Sequence, residues 1–84
     1  MSTLRTRIVE ASTEAATLIG ANALRRRWSF WPASSTAVLS IRASGSDDWV
    51  DLPAGAGIMD LDSTNAVEIK ADASVEVHLV EVVL

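Results

Sequence analysis

Apolar and polar residues alternate with a period of two along most of this chain. In Leu4-Arg-Thr-Arg-Ile8, positions 4, 6 and 8 share one face, and Arg5 and Arg7 take the other. Trp28 and Phe30 alternate with Arg27 and Ser29, and between Ala37 and Ala43 the odd positions are apolar while Ser40 and Arg42 are not. Val67-Glu-Ile69-Lys-Ala71 is the cleanest alternation, and Val75-Glu-Val77-His-Leu79 repeats it. Successive side chains of a strand point to opposite faces, so each run predicts a strand with its apolar set buried. On that rule Leu4, Thr6 and Ile8 turn inward, as do Trp28 and Phe30. Val80-Glu-Val82 continues in the opposite phase. Such a slip has two readings: a β-bulge, or a last strand covered on both sides, which would suit a subunit interface.

Turn-forming clusters fall between these runs at Pro32–Thr36, Ser44–Asp48, Pro53–Gly57, Asp62–Asn65 and Asp72–Ser74. Short strands punctuated this regularly predict an all-β domain, a small antiparallel β-sandwich or barrel of about seven or eight strands. Only Ala11–Arg27 dissents. Its Ala, Leu, Glu and Arg favour helix, but Gly20 and Asn22 interrupt it, so a short strand running into a turn is expected, with one or two helical turns as the rival.

Eighty-four residues make one domain, 1–84, with residues 1–12 as an N-terminal arm or edge strand. So short a chain has a thin core, and disulfides, a metal or association usually supplement one. There is no Cys and only one His, which excludes disulfides and thiolate or polyhistidine metal sites. Association is what remains. The basic residues near Met1 precede no apolar run, and no stretch approaches a membrane span, so neither a secretory signal nor a membrane partner is expected.

Charge is divided unevenly. Residues 1–42 carry six Arg against two Glu, net +4, and residues 43–84 carry nine Asp and Glu against one Lys, net −8. Such a split is a device for complementary contacts between copies or with a partner, unless two solvated faces simply differ. A pI near 4.7 disfavours a nucleic-acid partner.

No catalytic constellation can be assembled, and no cofactor is expected. His78 is the only imidazole and sits between Val77 and Leu79 in a strand, where a surface or interface role outweighs catalysis. Pro53-Ala-Gly-Ala-Gly lacks the Lys-Ser/Thr of a phosphate loop and reads as a turn. Asp60-Leu-Asp62-Ser-Thr-Asn65 starts like a calcium loop but lacks its later Gly and Glu; Asp47, Asp48 and Asp51 form a second acidic turn, and both read as solubilising turns rather than cation sites. Arg25-Arg26-Arg27 followed by Trp28, Phe30 and Trp31 is the most unusual stretch. All three Trp cannot share one small core, and Trp and Arg anchor protein interfaces. The expected contact residues are Arg25, Arg26, Arg27, Trp31, Trp49 and, in the last strand, Val80, Val82 and Leu84.

Ile19-Gly-Ala-Asn-Ala-Leu-Arg-Arg-Arg-Trp-Ser-Phe, then Val50-Asp-Leu-Pro-Ala-Gly-Ala-Gly-Ile and Val75-Glu-Val-His-Leu-Val-Glu, resemble the pattern of small capsid decoration (cement) proteins of tailed bacteriophages. Trp31-Pro32 departs from that pattern, which has a polar residue there. The resemblance implies a structural virion protein, made in the host cytoplasm and placed on the outer surface of the head. Its partners would be the major capsid protein and copies of itself, often as trimers. A receptor- or carbohydrate-binding module of a tail fibre or spike is the alternative.

Overall fold

Alternation becomes strand wherever a second apolar surface is available to cover one face of the ribbon. A computed structural model describes residues 1–84 and contains eight strands and no helix. They are β1 (Thr3–Ala11), β2 (Ala16–Ile19), β3 (Arg25–Pro32), β4 (Leu39–Ala43), β5 (Val50–Asp51), β6 (Ile58–Leu61), β7 (Val67–Ala71) and β8 (Val75–Val83). Every pairing is antiparallel, in two four-stranded sheets of order β1-β8-β3-β6 and β2-β7-β4-β5. The sheets pack face to face as a small β-sandwich, a slab of 38 × 26 × 17 Å.

The core lies where the inner rows meet. Leu18 and Ile19 of β2, Leu39 of β4 and Val67, Ile69 and Ala71 of β7 oppose Trp28 and Phe30 of β3 and Val77 and Leu79 of β8. Trp28 and Phe30 stack with ring centroids 5.5 Å apart. Each large side chain buried here contributes about 1.5–3 kcal/mol. The dissenting segment is strand β2 followed by a turn, not helix.

Two turn glycines are required by close approach. A Cβ on Gly57 would collide with the Phe30 carbonyl and the Trp31 Cα, and one on Gly55 would meet the Ser35 carbonyl at a φ of +74°. The Pro53–Gly57 turn is therefore packed against the chain's own backbone.

β1 runs in the opposite phase to the one expected. It is an edge strand, and its register sets Thr3, Arg5, Arg7, Val9 and Ala11 beside the inner residues of β8, while Leu4, Thr6 and Ile8 face outward. Leu4 and Ile8 are 64% and 61% exposed. The reason is electrostatic: Glu81 occupies an inner position of β8 at 3% exposure, and Arg7 on the same side reaches it at 3.3 Å. An inward Ile8 would remove the one ion pair that this carboxylate makes.

The expected slip in β8 is neither a bulge nor a strand buried on both faces: the strand is regular, its inner face is buried and its outer face is only partly covered. β8 pairs with β1 without interruption, with β3 on its other side. Val77, Leu79 and Val83 are buried inward, and Val80 and Val82 are half-buried outward. The bulge lies instead in β3, between Arg25 and Arg27.

The two oppositely charged halves are interleaved rather than separated. Arg7–Glu81, Arg27–Asp60 and Arg42–Glu68 each join the basic half to the acidic half. Much of the charge split thus holds the chain to itself.

Candidate interaction surface

The outer face of β1-β8-β3-β6 is a set of cross-strand rows. Ile8, His78 and Trp31 form one; Thr6, Val80 and Ser29 the next; Leu4, Val82 and Arg27 the third. Trp31 points outward because Trp28, Phe30 and Pro32 take the inner positions of β3. It stacks on His78 at 5.9 Å, with 27° between the rings, and stays 37% exposed. A hollow of about 560 Å³ opens beside the pair, lined by Thr6, Arg7, Ile8 and Val80 as well. Met59 of β6 is a further exposed apolar residue of this sheet.

The outer face of β2-β7-β4-β5 differs. Arg42 Nε donates to Glu68 Oε1 at 3.0 Å, and Ser40 Oγ donates to Asp51 Oδ1 at 2.6 Å. Trp49 lies in the loop before β5, between two cations: the Arg42 guanidinium and the Lys70 ammonium each sit 4.4 Å from its ring centroid. It was expected as a contact residue, but its ring is half-buried against the chain's own cations.

Arg25 is the larger correction. It is 2% exposed and cannot meet a partner. Its guanidinium donates to the carbonyls of Gly20 at 2.7 Å, Ser63 at 3.0 Å and Asn65 at 2.7 Å, and lies 5.5 Å from the Trp28 ring centroid. Trp28 Nε1 completes the knot by donating to Ser63 Oγ at 3.1 Å. Burial holds the Arg25 pKa below its ordinary value; Glu81 opposes that shift and Arg7 adds to it. Arginine stays charged regardless, so this buried cation ties the β2–β3 turn to the β6–β7 loop.

The other expected contact residues reach the surface to different degrees. Arg26 and Arg27 are exposed, Val80 and Val82 are half-buried on the apolar face, and the Leu84 side chain is half-exposed. Leu84 is held by its amide, which donates to the Leu24 carbonyl at 2.8 Å. Leu4, Ile8 and Met59 were not expected. Alternation assigns residues to two faces without saying which is inside; in β1 the inner set is Val9 and Ala11 against the core together with Arg7 on Glu81.

The acidic turns are engaged in the fold: Asp51 accepts from Ser40, and Asp60 lies 3.9 Å from Arg27. No three His, Asp or Glu residues gather where a metal could sit. A second hollow, of about 310 Å³, opens between β5 and β6 over the buried Trp28, where Ile41, Leu52 and Leu61 are partly uncovered. The chain matches no protein-family model, no curated protein and no solved structure.

Proposed function

We propose that this protein is a non-catalytic structural component that adds to a protein shell as a decoration (cement) protein, using the outer face of β1-β8-β3-β6 as an assembly surface. The single observation that carries the reading is the row Ile8–His78–Trp31 beside Val80: an apolar, aromatic strip on a strand already covered from within. A thin Cys-free core gains stability when such a strip is covered. Many identical weak contacts on a repeating shell then add through multivalency. The nine-residue edge strand β1 offers unpaired backbone groups beside the same strip.

Copy number in purified particles tests this. Hundreds of copies per particle, with saturable binding to empty shells, are the expected result. A handful of copies, or none, would sink the shell reading.

A second reading is supported by the hollow beside Trp31, which has Thr6, Arg7 and His78 as polar neighbours of an exposed ring, the makings of a carbohydrate site. Binding of the isolated protein on a glycan array, abolished by Trp31→Ala, would favour it over the first.

A further inference from the structure

We infer that the outer face of β1-β8-β3-β6 closes on the same face of a second copy, about a twofold axis running across the strands. The inference rests on the reading of that face as an assembly surface and assigns a second copy as its occupant, which leaves the edge strand β1 to meet the shell.

Charge along the face is the key observation. At one end Glu10 and Glu76 are direct cross-strand partners, both exposed. Like charges placed opposite each other destabilise a sheet. No cation of the chain relieves them: the three ion pairs are Arg7–Glu81, Arg27–Asp60 and Arg42–Glu68. At the other end, beside Val82, stand the exposed Arg26 and Arg27, with only the long, solvent-exposed Arg27–Asp60 pair between them and water. Between the ends the rows of β1, β8 and β3 carry no carboxylate, lysine or arginine: Ile8, His78 and Trp31, then Thr6, Val80 and Ser29. The face is therefore acidic at one end and basic at the other along the strand direction, over about 20 Å from Glu76 to Val82.

Two twofold axes can bring such a face onto its own copy. An axis parallel to the strands sets Glu10 and Glu76 against their own equivalents and leaves both ends repelling. An axis across the strands, passing between the His78 and Val80 rows, reverses one copy. It brings the acidic end toward Arg26 and Arg27 of the second copy, and the Ile8–His78–Trp31 row onto the Thr6–Val80–Ser29 row. Sheets packed face to face sit about 10 Å apart, a gap that arginine and glutamate side chains span together. Charge thus selects the second axis. A self-complementary patch is what an isologous interface demands. The area is sufficient in kind: a broad face of a 38 × 26 Å slab is of the order of the ~800 Å² per partner found in stable complexes.

The test is sedimentation equilibrium of the full chain over a concentration series, with circular dichroism to confirm that each variant is folded. Wild type is expected to be a dimer whose dissociation constant rises with salt. Glu10→Arg with Glu76→Arg keeps two like charges opposed within the chain, so its fold is undisturbed, but both ends of the face become basic. Dimerisation should weaken about a hundredfold. Arg26→Glu with Arg27→Glu should do the same, and mixing these two variants should give a tight heterodimer. A monomer at every concentration, a trimer, or a dimer indifferent to the double glutamate swap would overturn the inference. A chain that decorates particles yet sediments as a monomer loses this inference and keeps the shell role; one that dimerises as expected yet never joins particles does the reverse.

Discussion

On the β2-β7-β4-β5 face, Arg42 meets Glu68, Ser40 meets Asp51, and Trp49 lies between Arg42 and Lys70, so its polar and aromatic groups find partners within the chain. On the β1-β8-β3-β6 face, Ile8 and Leu4 project into solvent, Trp31 has only His78, and Glu10 faces Glu76. Both faces come from the same period-two alternation. The difference teaches that the outward residues of a sheet report what they are meant to touch: charges of both signs finish a surface, whereas β-branched and aromatic rows leave it open.

That contrast can be broken by substitution, beginning with the knot between the sheets on which both faces depend. Arg25→Met removes the donor shared by the Gly20, Ser63 and Asn65 carbonyls, and urea unfolding should show a loss of about 3 kcal/mol or more. On the closed face, Trp49→Ala should lower unfolding free energy by about 1–2 kcal/mol and leave self-association untouched; a shifted dimer constant would mean that this face also meets a partner. Glu68→Gln weakens one partly buried ion pair, and a thermal melt should register about 0.5–1 kcal/mol. The smallest stability effect is expected on the open face. Ile8→Thr keeps a β-branched residue at an exposed position and should change unfolding by less than about 0.5 kcal/mol, while measurably weakening the dimer. A large unfolding cost with unchanged association would show that Ile8 serves the fold.

Much of this architecture was legible because burial imposes period two. The buried Val67, Ile69 and Ala71 and the inward Trp28 and Phe30 follow from it, while Gly20 and Asn22 carried the strand-then-turn reading within Ala11–Arg27. The exposed Trp31 and Arg27 followed too, since the inner positions were already filled. Arg25 did not, because a bulge breaks the count: with Arg26 looped out, Arg25 and Trp28 point inward together, although simple alternation puts them on opposite faces. Trp49 escaped for a different reason. It lies in a loop, and its two cations come from β4 and β7, which only the folded sheet brings beside it. The phase of β1 was set by contacts at the far end of the chain, Arg7 on the buried Glu81 and Val9 and Ala11 against the core.

One consequence follows from Asp60, whose φ of +58° sits in β6 next to a register shift against β3. Such a kink spoils the outer rim of that sheet as a template for a further strand, while β1 at the opposite rim stays long and regular. A sheet with one live margin and one dead one can zip to a neighbour once, but cannot hand the pairing on. Crowding on a surface should therefore saturate in discrete units rather than run away into fibres.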